Sequence, residues 1–269
     1  MHLSPMRYPG SKTKLLPIIN EYLDKTLVNS KYFVDVFVGG GSVLLDVAKR
    51  YPKIELFAND KDYSIYSFWK IVGGTDSKKL SDLLGLMAQP VTLEHFYKLR
   101  SAKANDDVDS AYRAIFFNRT CFSGIVNSGP IGGKEQKSKY TVDCRYNFKK
   151  LKDKILACNK LLSGRLTIEN EDFSNCKSLL LSDSTIYLDP PYVDAGKELY
   201  PVYMNNLEHQ NLGDILLSKK NWVLSYDDSN IIRRIYQNCN IYNTDAKYCI
   251  NGAKTTWSPK NELIITPKF

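Results

Sequence analysis

Short apolar runs ending in polar or glycine-rich turns punctuate both ends of this chain. Phe33-Val34-Asp35-Val36-Phe37-Val38 stops at Gly39-Gly40-Gly41, and Ile54-Glu55-Leu56-Phe57-Ala58 stops at Asn59-Asp60. Runs of this length read as strands buried on both faces. A segment of helical spacing follows each, through about Arg50 and over Tyr63–Val72. Ser42 is expected to cap the first of these helices, its hydroxyl accepting from an amide of the first turn. The β-α-β-α order predicts a parallel sheet with right-handed crossovers. The pattern then changes. Residues 79–118 carry helical spacing only, and 119–148 hold Gly124, Gly129, Pro130, Gly132 and Gly133 among polar and basic residues, as a loop would. A helix near 149–162 leads back to strands at Leu166–Glu169, Thr185–Leu188, Trp222–Ser225, Cys239–Tyr242 and Glu262–Thr266. One open α/β sheet built from 1–72 and 161–269, interrupted by an insertion over 73–160, accounts for this order.

Composition narrows the picture only a little. The 269 residues, 43% hydrophobic and 25% charged, suit one large α/β domain or such a domain with an insertion. Neither a run of about 18 apolar residues nor a secretory leader is visible, so a cytoplasmic location is expected. The 37 Lys+Arg against 29 Asp+Glu give a net charge of +8, which suits a polyanionic partner but equally an ordinary basic protein. Cysteines stand at 121, 144, 158, 176, 239 and 249 without C-x-x-C spacing, beside only three histidines. Reduced, mostly buried thiols are therefore expected rather than a zinc site or a disulfide framework.

The most informative motif is Asp189-Pro190-Pro191-Tyr192, directly after the apolar strand Ile186-Tyr187-Leu188. An aromatic exocyclic amine is a poor nucleophile because its lone pair is delocalised into the ring. Two acceptors aimed at its hydrogens favour a pyramidal nitrogen and localise that pair. The Asp189 carboxylate can be one acceptor. The Pro190 carbonyl can be the other, since Pro190 and Pro191 hold an extended turn with free carbonyls. Tyr192 offers a flat face for stacking a base. A structural proline turn is the plain alternative, but the carboxyl end of a strand is where open α/β sheets bind ligands.

Three further features sit at strand ends. Asp35-x-Phe37-x-Gly39-x-Gly41 permits a tight turn and close backbone approach to a ligand, although its spacing is not that of a dinucleotide or P-loop site. Asp35 is placed to meet an ammonium group and Phe37 to line a nucleoside pocket. Asp60 is placed to bond ribose hydroxyls, and Asp172, in Glu171-Asp172-Phe173, to accept from an adenine amine. Either acid taken alone reads first as a helix N-cap.

In order along the chain, Tyr8-Pro9-Gly10-Ser11-Lys12, Asp35–Gly41, Asp60, Asn118-Arg119-Thr120-Cys121-Phe122-Ser123-Gly124, Asp172-Phe173 and Asp189–Tyr192 resemble the Dam-like (D12-class, α-group) DNA N6-adenine methyltransferases over nearly the whole length. The resemblance implies a Rossmann-like methyltransferase sheet ending in an antiparallel β-hairpin, with a mainly helical DNA-recognition insertion. It implies S-adenosylmethionine as cofactor, with Tyr8, Gly10, Lys12, Asp35, Phe37, Gly39, Gly41, Asp60, Asp172 and Phe173 around it, and Asp189 and Tyr192 as the catalytic pair. Ser11 stands where many members carry a second glycine. The stretch Ser123–Gly129 lacks the arginine with which GATC-specific members read guanine, so that target is not implied.

On this expectation the partner is double-stranded DNA with the adenine flipped out, and the enzyme is a monomer or weak dimer, orphan or paired with a cognate restriction endonuclease. Loop 119–150 is the expected DNA surface: Arg119, Asn127, Lys134, Lys137, Lys139, Arg145, Lys149 and Lys150 interleave with Phe122, Tyr140 and Tyr146. Two weaker assignments are a wall of the base pocket at Ser225–Asp228 and a phosphate-touching hairpin turn at Asn251–Thr256. The alternatives are transfer to cytosine N4, RNA or a protein amide, against which Asp189 argues, and a catalytically silent DNA-binding module.

Overall fold

The computed structural model describes residues 3–7, 10–193, 203–244 and 262–268. All seven expected strands form: β1 (Tyr32–Asp35), β2 (Glu55–Asn59), β3 (Leu166–Glu169), β4 (Ser184–Leu188), β5 (Trp222–Asp227), β6 (Asn240–Thr244) and β7 (Glu262–Thr266). They make one sheet in the order β3-β2-β1-β4-β5-β7-β6. The first five strands of that order are parallel, and β7 lies antiparallel between β5 and β6. This is the Rossmann-like methyltransferase sheet with its terminal antiparallel pair. Chain order reverses between β1 and β4, which makes their carboxyl ends the switch point of the sheet.

Alternation along each strand feeds two apolar layers. Phe33, Leu56, Ala58, Tyr187, Val223 and Ile264 face one, with helix α1 (Leu16–Leu27), α2 (Ser42–Arg50) and α3 (Tyr63–Val72) packed on it. Val34, Ile186, Leu188, Leu224 and Ile265 face the other, covered by α8 (Asn206–Leu217) and α9 (Asn230–Ile235). Between α3 and β3 come α4 (Ser77–Met87), α5 (Leu93–Ser101), α6 (Asp107–Thr120) and, after a long loop, α7 (Phe148–Leu162). The helices of the expected insertion share the first apolar layer: Leu83, Met87, Phe96, Ile115 and Phe116 belong to the same buried cluster as Leu44 and Trp69. Among the described residues no helix is long and apolar enough to cross a membrane.

Two local expectations need correction. Ser42 does not cap α2. The N-cap is Gly41, at φ 67°, and the Ser42 hydroxyl instead meets that of Ser11 at 2.9 Å. The left-handed turn that the glycines provide leaves no extended residue at the serine to act as cap. Helix α1 was not anticipated, although Ile19, Leu23 and Leu27 recur every fourth residue along its buried face.

Candidate active site

Because β1–β5 run in parallel, their carboxyl ends share one edge, and the acids that follow them converge there. Gly10, Lys12, Asp35, Phe37, Gly39, Gly41, Asp60, Asp172, Phe173, Asp189 and Pro191 all line a single cleft of about 930 Å³, open to solvent. The structure thus brings together the described members of the cofactor set and the first residue of the Asp-Pro-Pro-Tyr turn. Tyr8 and the turn at Asn251–Thr256 lie outside the described residues.

Its floor is the glycine turn. Gly39 and Gly41 adopt φ 43° and 67°. A Cβ on Gly41 would lie 2.4 Å from the Trp69 ring, so the turn packs directly on that indole. Trp69 Nε1 donates to the Gly39 carbonyl at 2.8 Å, and the Gly39 amide donates to Asp60 Oδ2 at 2.9 Å. Asn59, buried, donates to the carbonyls of Val36 and Glu171 and accepts from the Glu171 amide, tying together the turns after β1, β2 and β3. Neither Trp69 nor Asn59 stood out in the sequence, since an aromatic in an amphipathic helix and an Asn before an Asp both read as ordinary.

The acids differ in how much of their hydrogen-bonding capacity is already used. Asp35, 2% exposed, has one oxygen, Oδ1, without a partner. Burial, together with Asp189 and Asp60 nearby, holds its carboxyl well above the usual range. Asp60 accepts from the amides of Gly39 and Asp62, and burial pushes it up to about 7. Asp172 is largely engaged: Oδ1 caps a short turn by accepting from Ser174, and Oδ2 meets Lys61 at 2.8 Å. Of the two roles set as alternatives in the sequence, the cap forms, and the same carboxylate lines the cleft. Phe173 packs 6.0 Å from Phe37, centroid to centroid, so the two rings share one wall.

Asp189 lines the same cleft. Its side chain keeps 21% of its exposure, although Oδ1 itself is closed to solvent. Lys12 Nζ meets Asp189 Oδ2 at 2.6 Å, while Asp189 Oδ1 is a buried acceptor with no partner. Burial pushes Asp189 up to about 7, with Glu262 adding to the rise and Lys12 opposing it. Lys12, expected among the cofactor residues, lines the cleft and is ion-paired with Asp189. Its ammonium also donates to the Gly10 carbonyl and the Tyr192 hydroxyl, both at 2.9 Å. Behind Tyr192 lies Tyr226, 6.3 Å between centroids, in the Ser225–Asp228 segment expected to wall the pocket, and Asp227 Oδ1 accepts from the Val193 amide.

The loop after α6 is built rather than loose. Arg100 donates to the carbonyls of Val126 and Ser128 while its guanidinium lies 4.1 Å from the Phe117 centroid. Gln136 donates to the carbonyls of Ile131 and Gly133 and accepts from the Val142 amide. This frame leaves Phe122, Asn127, Lys134, Lys137, Lys139, Tyr140 and Arg145 exposed, with Arg145 5.8 Å from the Tyr140 centroid. Tyr146 is half-buried, its hydroxyl donating to the Met87 carbonyl. Arg119 departs from expectation. Its guanidinium turns inward and donates to the Pro5 carbonyl, and burial lowers its pKa to about 10 with Arg7 adding to the effect. The reason is the leading segment: Asn118 bonds both the amide and the carbonyl of Arg7, and Ser4 Oγ donates to the Gly40 carbonyl at 2.6 Å. Residues 3–7 therefore run between the loop after α6 and the glycine turn, covering the face that Arg119 would otherwise present.

A methyltransferase sheet with an Asp-Pro-Pro-Tyr turn across its switch point from a glycine turn defines the class. The chain matches the D12 class N6 adenine-specific DNA methyltransferase family over residues 8–250, and it belongs to that family. It is similar to the Type II methyltransferase M.MjaIII of Methanocaldococcus jannaschii, 28% identical over 73% of this chain and 72% of that one. It is also similar to the Type II methyltransferase M.CviBI of Paramecium bursaria Chlorella virus NC1A, 22% identical over 86% of this chain and 85% of that one.

Proposed function

We propose that this enzyme transfers the methyl group of S-adenosylmethionine to N6 of an adenine swung out of double-stranded DNA. The observation that carries the reading is Asp189, lining the same cleft as the glycine turn, with Oδ2 taken by Lys12 and Oδ1 a covered acceptor without a partner.

The cofactor is judged by fit. The cleft holds an acceptor without a partner in Asp35 Oδ1, an acid in Asp60 beside the glycine turn, and an aromatic wall of Phe37 and Phe173. Burial raises Asp35, Asp60 and Asp189, and Asp189 and Asp60 add to the rise at Asp35, so these carboxyls stand to gain from a ligand carrying an ammonium and a sulfonium. Asp35 would take the ammonium, Asp60 the ribose hydroxyls, and Phe37 and Phe173 the purine. When bound, the cofactor supplies an electrophilic methyl group.

The protein's own work is orientation. Asp189 accepts one N6 hydrogen through its unfilled oxygen, and the Pro190 carbonyl accepts the other, which localises the nitrogen lone pair. Tyr192 stacks on the base. Lys12 fixes the Asp189 carboxylate through Oδ2. Positioning and electrostatics of this kind need no general base before transfer, since the N6 proton becomes acidic once the nitrogen carries the methyl. The exposed Lys134, Lys137, Lys139 and Arg145 neutralise phosphate, and Phe122 and Tyr140 supply wedging or stacking faces that offset the cost of flipping, a few kcal/mol. The Type II names of both relatives favour a role beside a restriction endonuclease of the same specificity, with the methyltransferase acting as a monomer or weak dimer.

The decisive experiment incubates the purified protein with tritiated S-adenosylmethionine and unmethylated duplex DNA, then digests the DNA to nucleosides. Label in N6-methyladenine is expected. Label in N4-methylcytosine alone, in RNA or protein alone, or DNA binding without transfer would each overturn the reading.

A further inference from the structure

Glu262 opens β7, the strand that runs against the five parallel ones. Its amino end therefore lies at the edge where they present their carboxyl ends, paired with Asp227 at the end of β5. The residue is 2% exposed and lies beyond the stretch matched by the family. Its Oε1 accepts from the Tyr192 hydroxyl at 2.6 Å and stands 3.2 Å from Lys12 Nζ.

Donor counting shows what this carboxylate does. A lysine ammonium has three hydrogens. Lys12 meets Asp189 Oδ2 at 2.6 Å, the Gly10 carbonyl and the Tyr192 oxygen each at 2.9 Å, and Glu262 Oε1 at 3.2 Å, so at least four acceptors share its three hydrogens. The Tyr192 oxygen accepts from Lys12, so its own proton must be directed elsewhere, and Glu262 Oε1 receives it. Donation therefore runs from Lys12 to Tyr192 and from Tyr192 to Glu262. The carboxylate also balances an ammonium that would otherwise sit on Asp189 alone.

Resting on the function proposed above, we infer that Glu262 is a positioning residue for methyl transfer: it orients the Tyr192 hydroxyl and anchors Lys12, so that the ammonium holds Asp189 by one oxygen and leaves the other to the amine.

The test compares Glu262→Gln and Glu262→Asp with the wild type in single-turnover transfer to duplex DNA across pH, with cofactor affinity measured by calorimetry. Glu262→Gln should bind S-adenosylmethionine within about twofold of wild type yet slow transfer roughly 10- to 100-fold, the range of a hydrogen bond to a charged group. Its acid limb should move to lower pH, because a negative charge near Asp189 has gone. Glu262→Asp, which keeps the charge, should return the limb to its wild-type position. An unchanged rate, or a slower rate with an unmoved limb, overturns the inference, since a merely structural glutamate would not set the limb. If Glu262→Gln does not fold, Tyr192→Phe decides. Removing the hydroxyl that damps the Glu262 charge should move the limb to higher pH, and an unmoved limb again overturns the inference. A wild type that methylates no adenine refutes the proposed function itself; a normal wild type with an indifferent Glu262→Gln refutes only the role of Glu262.

Discussion

Trp69 and Gly39 are joined by a 2.8 Å hydrogen bond from the indole nitrogen to the glycine carbonyl, and the same ring fills the space a side chain at Gly41 would need. The shape of the glycine turn is therefore set by a residue on α3. Gly41→Ala should destabilise the protein by about 2–4 kcal/mol, combining a left-handed backbone with an overpacked ring. Trp69→Phe keeps most of the ring and should cost about 1 kcal/mol for the missing bond. Urea denaturation measures both; a Gly41→Ala protein as stable as wild type would show that the turn is not held by the indole.

Asp189→Ala should abolish detectable transfer while binding of S-adenosylmethionine persists, because Asp35, Asp60 and the phenylalanine pair are left untouched. Truncation also leaves the Lys12 ammonium without one acceptor, so some loss of stability should accompany it. Equilibrium binding of labelled cofactor alongside a transfer assay checks the split. Turnover near the wild-type rate would remove Asp189 from the mechanism.

The raised carboxyls give a pH signature of definite sign. Asp60 and Asp189 are pushed up to about 7 by burial, and Asp35 is held well above its ordinary range by burial and by Asp189 and Asp60. Folded pKa values above unfolded ones mean that the folded, ligand-free protein holds extra protons between about pH 4 and pH 7, so this contribution to stability is greatest below that window and is lost as pH rises through it. Cofactor binding requires the ionised forms and should release protons. Thermal shifts recorded between about pH 5.5 and pH 8 should show the ligand-free melting temperature falling while the gain on adding S-adenosylmethionine grows. Asp60→Asn should flatten both trends.

How much of this was visible beforehand depends on the range over which each feature is determined. The strands were legible because each is a short apolar run bounded by turn residues, and the acids at their ends followed once the sheet was taken as parallel. Asp35, Asp60 and Asp189 could be grouped from local pattern alone. Pairings between distant segments could not. Lys12 reads as one basic residue in a glycine-containing turn until the fold sets it on Asp189 and Glu262. Glu262 belongs to the last strand, and only the antiparallel direction of β7 carries it to the site. Arg119 looked like a DNA reader because it sits in a basic, aromatic-rich stretch, but the packing of residues 3–7 turned it inward.

That inversion separates two kinds of cation around the proposed DNA surface. Lys137 and Lys139 are exposed, and Lys137 is partly balanced by Glu135 at 2.7 Å. Lys139→Glu should therefore weaken DNA binding more than Lys137→Glu, and each phosphate that is no longer neutralised should reduce the salt slope of log K by about 1. Neither change should alter stability appreciably, since solvated side chains contribute little to it. Arg119→Ala should do the reverse. It removes a buried donor to the Pro5 carbonyl, so the melting temperature should fall while the salt slope stays near its wild-type value. Fluorescence anisotropy of a labelled duplex over a salt series, with melting curves for the same variants, measures both quantities. A salt slope that drops on Arg119→Ala at unchanged stability would mean that residues 3–7 move aside when DNA binds and expose that arginine to a phosphate.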